Sequence, residues 1–232
     1  MFQFLTQFFI TQSTEGDNQL TLLSYGILIV LILLLLTLIP STQKETKGKT
    51  RQMIFSAVSM ALAMILSFIK FGSLPFGGSI TFFSMFFIAF IGALYGLKAG
   101  LLAGFAYGIL QLVVEPKIYF PLQVLLDYPL AFASLGLSGL LPITDKIIGS
   151  KKQLLFRIVT GFTIGVLGRY LFHSLSGYIF FREYAGDKNP ILYTLGYNAT
   201  YIVPELILTI VILCLPPITK AILELRKIAL EK

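Results

Sequence analysis

Residues Leu125–Leu141 read LLDYPLAFASLGLSGLL, an apolar run with one carboxylate, Asp127, near its start. A helix of about 20 such residues crosses a bilayer. A charge inside it costs several kcal/mol unless it is paired or kept wet. If the run spans a membrane, Asp127 therefore needs a partner, and the rest of the chain says whether it does.

The composition answers the first part. Of the 232 residues 56% are hydrophobic and only 12% are charged, against about 25% charged in ordinary soluble domains. Mean hydropathy is +0.85. A soluble core of this size could not hide so much apolar surface, so the chain reads as an all-α polytopic membrane protein. The net charge of +7 is not a nucleic-acid footprint, because the basic residues sit in short connections and not on one face. The single Cys214 excludes a disulfide framework or a thiolate metal site within the chain. Trp is absent, so any aromatic platform is built from Phe or Tyr.

Seven apolar segments are expected, at 20–40, 53–71, 80–96, 97–114, 122–142, 156–181 and 191–215. The first, LTLLSYGILIVLILLLLTLIP, has no basic residue before it and too long a core for a signal peptide. It reads as an uncleaved anchor. Lys44, Lys47, Lys49 and Arg51 fill one connection, and Lys146, Lys151, Lys152 and Arg157 another. Lys98 lies in a tight turn, and Lys220, Arg226, Lys227 and Lys232 lie at the C-terminus. The opposite side holds Lys117, Arg182 and Lys188. The positive-inside rule places the richer set in the cytoplasm. The organisation is then an extracytoplasmic tail over 1–19, an extra anchor over 20–40 and a basic cytoplasmic linker over 41–52. A six-helix core over 53–220 and a cytoplasmic tail over 221–232 follow. There is no internal repeat of the kind many carriers show.

Ionisable residues inside the segments are few: Lys70, Asp127, Arg169, His173 and Glu205. Lys70 can snorkel from a helix end. Depth separates the others. Asp127 lies about 8 Å from the outer end of its segment, His173 about 12 Å and Asn198 about 11 Å, at 1.5 Å per residue. Three polar groups on three helices thus share one outer layer. Tyr128, Phe180, Phe181, Tyr193 and Tyr197 fall at the same level. A carboxylate among aromatic faces suits an organic cation. Each residue also has a plainer reading. Asp127 can pair with Arg169 as helix glue, His173 can be a hydrogen-bonded packing residue, and the aromatics can form an interfacial belt. Only the shared depth favours a site. The sequon NAT at 198–200 falls inside a helix and is set aside. Ala57 and Ala61, one turn apart, allow close helix approach, either inside the bundle or against a partner. The Gly- and Ser-rich loop Gly72–Met85, with Gly78 and Ser79 at its centre, is either a lid or a tight connection.

The motifs PFGGSITFFSM, LLDYPLAF, GRYLFHSLSGYIFFREYA and YTLGYNATYIVPE occur in this order. Their sequence and spacing resemble the thiamine-specific substrate-binding subunits (S-components) of energy-coupling factor (ECF) transporters. The likeness covers about residues 53–220. It implies a six-helix S-component core, to which the helix at 20–40 is an addition. It implies that Asp127 and Tyr128 face the thiazolium, that His173 contacts the aminopyrimidine and that Phe181 stacks on it. Tyr193 and Asn198 complete the site, and Tyr119 lines it. Ala57 and Ala61 become the face that meets a transmembrane coupling protein, which works with two cytoplasmic ATPases. Some members carry Trp where this chain has Gly78 and an acid where it has Phe82.

The resemblance therefore implies a bacterial plasma-membrane subunit that binds thiamine from outside and delivers it through an ATP-driven complex. The chain has no G-x-x-x-x-G-K-[ST] loop of its own. A stand-alone cation-coupled transporter of thiamine or another organic cation is the alternative. It needs an ionisable relay across the membrane, and the sequence offers only the outer cluster. An intramembrane enzyme using His173 and Asp127 would lack a nucleophile or a metal-ligand set. No cofactor, metal or nucleic acid is expected, and lipid is the surrounding partner.

Overall fold

The structure, a computed structural model, describes residues 10–12, 18–20, 47–143 and 150–230. The anchor expected at 20–40 lies outside the described residues apart from Leu20, as does the linker before Lys47. Two short strands, β1 (Ile10–Gln12) and β2 (Asn18–Leu20), pair antiparallel.

Among the described residues, the expected segments from 53 onward become helices with shifted ends. The first core helix, α1 (Lys47–Ser67), stops short of Lys70. Lys70 instead opens β3 (Lys70–Ser73), which pairs antiparallel with β4 (Ser79–Thr81). The glycine-rich loop is thus a small hairpin, turned by a 3-10 stretch at Pro75–Gly77. Lys70 does not snorkel from a helix end. Its Nζ donates to Glu115 Oε1 at 2.5 Å.

Next come α2 (Ser84–Tyr95) and α3 (Leu97–Val114). They are separated by Gly96, whose φ of 88° few other residues tolerate. The opening stretch forms a composite helix, α4. It is α-helical over Pro121–Leu125, makes a π turn over Leu126–Leu130, returns to α over Ala131–Ser134 and tightens to 3-10 over Leu135–Leu140. Pro129 within it cannot donate a backbone hydrogen bond, which helps account for the irregular turn. Two long helices follow. The first is α5 (Lys151–Phe180), where Ser150 Oγ accepts from Gln153 N as an N-cap. The second is α6 (Pro190–Cys214), capped by Asn189 with Pro190 at the first position.

The helical pattern runs on past residue 220, where the charge pattern reads as a plain tail. Pro216–Leu230 form α7, burying Ile222, Arg226 and Ala229 on one face. Arg226 Nε donates to Ile143 O at 2.5 Å, tying α7 to the end of α4.

Four of the described helices (α1, α3, α5 and α6) are long and apolar enough to cross a membrane, and α2 is a shorter apolar helix. The core sits where α4 lies against α2, α3 and α5. One sequence feature seats it there. Gly100, Gly104 and Gly108 recur every four residues along α3 and face α4. A Cβ on Gly104 would fall 2.2 Å from Phe132 O, and one on Gly108 would fall 2.5 Å from Tyr128 O. Backbone meets backbone, as small-residue faces allow in membranes. This stripe holds the π turn, and with it Asp127 and Tyr128, in place.

Candidate substrate-binding site

Between the hairpin and the helix ends lies a cavity of about 600 Å³, within the range of sites that enclose a small molecule. Its walls come from one end of the bundle: the C-terminal ends of α1, α3 and α5, and the N-terminal ends of α4 and α6. The basic connections flank the opposite ends of these helices. The cavity thus opens at the end of the bundle away from the connections that the charge count reads as cytoplasmic.

Asp127, Tyr128, His173, Phe181, Tyr193 and Asn198 all line this cavity. The shared depth counted along separate helices was thus a true neighbourhood. Gly78, Ser79 and Tyr119 line it too. The hairpin therefore forms part of the cavity wall. Phe180 is not among the lining residues, and it stacks on Phe120 with centroids 5.2 Å apart. Ala57 and Ala61 are exposed on α1.

Asp127 does not pair with Arg169. Its Oδ1 lies 3.1 Å from His173 Nδ1, and its Oδ2 accepts from Gln123 Nε2 at 2.6 Å. Arg169 Nε donates to His173 Nε2 at 3.2 Å, and its guanidinium sits 4.3 Å from the Phe132 ring centroid. Spacing explains the choice. Arg169 and His173 are four residues apart on one helix face, as are Gln123 and Asp127. An arginine can only donate, so His173 Nε2 accepts. The proton of the neutral ring is then on Nδ1, which donates to Asp127. The result is a directed chain, Arg169 to His173 to Asp127, with Gln123 donating from the other side.

Gln123 also accepts from Tyr119 N at 3.1 Å and donates to Lys117 O at 3.2 Å. Tyr128 Oη accepts from Lys117 N at 2.7 Å and donates to Glu115 O at 2.8 Å. The connection from α3 to α4 is thus pinned to the residues beside Asp127. On the far wall, Asn198 Oδ1 accepts from Tyr201 Oη at 2.6 Å, and Asn198 Nδ2 donates to Thr194 O at 3.0 Å. Phe181 packs edge-on to Tyr119 with centroids 5.3 Å apart.

Gln123, Tyr201, Thr81 and Ser84 also line the cavity and did not stand out from the sequence. Gln123 was within reach of the four-residue spacing rule. Thr81 and Ser84 were not, because what joins them to the site is a long-range bond to Glu205.

Chemically, the cavity offers a carboxylate with unused acceptor capacity, a histidine fixed in one tautomer, and aromatic side chains at its mouth. Among the described residues no group of three or more His, Cys, Asp or Glu side chains could hold a metal ion.

Comparison with known proteins places this chain in a family. The thiamine transporter protein family (Thia_YuaJ) matches residues 53–225. A thiamine transporter ThiT of Bacillus subtilis is 37% identical over 166 residues, covering 68% of this chain and 86% of that protein. A ThiT of Lacticaseibacillus paracasei is 32% identical over 116 residues, 47% of this chain and 58% of that one. The solved ThiT of Listeria monocytogenes superposes with a TM-score of 0.65 at 23% identity, over 78% of this chain and 98% of its own. The solved S-component for biotin from an ECF-type ABC transporter gives 0.53 at 20% identity, over 80% and 95%. At those identities the two structures speak for the fold, which is the helical S-component fold of multi-pass membrane proteins. Matched by the family over most of its length, and by a relative across two thirds of it, this chain belongs to the thiamine transporter protein family.

Proposed function

We propose that this chain captures thiamine from outside the cell and delivers it through an ATP-driven ECF complex. The observation that carries the reading is the cavity that Asp127, held by His173 and Gln123, lines together with aromatic side chains. Thiamine joins a cationic thiazolium to an aminopyrimidine. Asp127 offsets the thiazolium charge, and Tyr128 stiffens the turn that presents it. His173 contacts the aminopyrimidine and Phe181 stacks on it. Tyr193 and Asn198 close the far wall, and Gly78, Ser79 and Tyr119 cover the mouth. Ala57 and Ala61 form the face that meets the coupling protein, which with two ATPase subunits supplies the energy. The named relatives and the S-component fold support this reading. The lining charges, Lys70, Glu115, Lys117, Asp127, Arg169 and His173, cluster at one end of the bundle, where they make no relay for a stand-alone carrier.

The test is a pair of substitutions at one atom cluster. Asp127→Asn keeps the shape and removes the charge, so thiamine binding should weaken by about 2 kcal/mol, roughly thirtyfold. Asp127→Glu should lose less. Equal losses would refute the role of cation partner.

A further inference from the structure

Glu205 has no role in the reading above, yet it is among the most completely bonded side chains described. It is 2% exposed. Its Oε2 accepts from Thr81 N at 3.2 Å and from Thr81 Oγ1 at 2.7 Å. Its Oε1 accepts from Ser84 Oγ at 3.1 Å and from Met85 N at 3.3 Å. The donors come from the end of β4 and the first turn of α2. A carboxylate is favoured there because the N–H groups of a helix start point at it. Between those donors sits Phe83, with φ of 60°, the one non-glycine residue with positive φ among the described residues. A bulky residue in that conformation is costly and persists only where its surroundings over-determine it. Glu205 binds the chain on both sides of it.

Glu205 also ends a stripe. Tyr197, Tyr201 and Glu205 recur every four residues on one face of α6. Tyr197 Oη donates to Pro75 O on the hairpin. A Cβ on Gly78 would fall 2.9 Å from the Tyr201 ring, so the hairpin backbone lies directly on that ring. Along this edge the hairpin is fastened to α6 from tip to base. Its other edge is held differently. There Lys70 meets Glu115, an ion pair whose side chains are 29% and 33% exposed. Such pairs contribute little, about 1 kcal/mol or less.

We infer that Glu205 is a positioning residue for the binding site. It fixes the hairpin base and the start of α2 to α6, so that the cavity opens at the Lys70–Glu115 edge and not at the α6 edge. The hairpin, Tyr197 and Tyr201 then stay together as one wall while ligand passes the opposite rim. The kinetic part of the test rests on thiamine binding as proposed above, whereas the exchange part does not.

Glu205→Gln places an amide NH₂ where two donors now point and keeps the volume. In ligand-free protein, amides over 78–85 should exchange at least about tenfold faster, with α5 amides over 154–166 unchanged. With thiamine, dissociation should speed by about tenfold and association by less than about threefold. Lys70→Ala should raise both rates by similar factors, leaving Kd within about threefold. If Glu205→Gln does not fold, Ser84→Ala removes one donor and should shift exchange over 78–85 in the same direction, by a smaller factor. Unchanged exchange over 78–85, or dissociation within about twofold of wild type, would overturn the inference. If wild-type protein bound no thiamine, the proposed function would fail and the exchange data alone would decide on Glu205.

Discussion

Two helices of this bundle, α1 and α3, carry the same kind of motif, exposed on one and buried on the other. Both are long and apolar enough to cross a membrane. Both present small residues one turn apart: Ala57 and Ala61 on α1, and Gly100, Gly104 and Gly108 on α3. Half of the α3 span is buried inside the chain, against 22% for α1. The α3 glycines let the backbone of α4 come into contact. The α1 alanines stand among exposed Met53, Ile54, Val58, Leu62 and Ile65. A small-residue face in a membrane helix therefore signals close approach without saying to what. The substitutes it would tolerate tell the two cases apart.

The largest expected effect is on α3. Gly104→Val would drive a side chain into the Phe132 carbonyl, which a Cβ alone would approach to 2.2 Å. It should cost about 3 kcal/mol or more and lower the melting temperature sharply, with thiamine binding lost along with the fold. A stable, binding-competent Gly104→Val protein would break the contrast from that side. On α1, Ala57→Trp or Ala61→Trp should leave the purified protein folded and its thiamine affinity within about twofold, because both positions are exposed. Uptake by cells that supply the coupling module should nevertheless be abolished. Loss of binding as well would assign those alanines to internal packing. A smaller effect is expected where α4 begins. Gln123→Ala removes the donor to Asp127 and the bonds to the α3–α4 connection. Affinity should fall by about 1 kcal/mol, roughly fivefold, without a change in oligomeric state. Phe181→Leu sharpens the site further. It keeps the apolar volume and removes the ring, so a loss of about 0.5–1.5 kcal/mol in thiamine binding is expected.

The same contrast marks what sequence can tell and what it cannot. The helices were legible because membrane spans announce themselves by hydropathy and length. The cavity was legible in part because depth along a helix is arithmetic, and Asp127, His173 and Asn198 line one cavity as their counted depths suggest. Local spacing would also have found Gln123 beside Asp127 and Arg169 beside His173. It would have replaced the Asp127–Arg169 pair by the chain through His173. The remainder lies in long-range contacts. Nothing near Glu205 in sequence shows that its partners are Thr81, Ser84 and Met85. Nothing in a Phe-rich loop shows that Lys70 leaves α1 to start a strand. The π turn that presents Asp127 depends on Pro129 and on the α3 glycines together, so neither segment shows it alone. The helix α7 reads as a basic tail because Lys220, Arg226 and Lys227 fall in it, yet Arg226 is among its buried residues. Charge counting reads that arginine as a solvated tail.

Calorimetric titration of thiamine into the detergent-solubilised chain, without ATP or any partner, is the most direct measurement. Saturable binding at one site per chain, weakened in Asp127→Asn and retained in Ala57→Trp, is the predicted result. No detectable heat of binding from folded protein, or a response that Asp127→Asn leaves unchanged, would contradict the account.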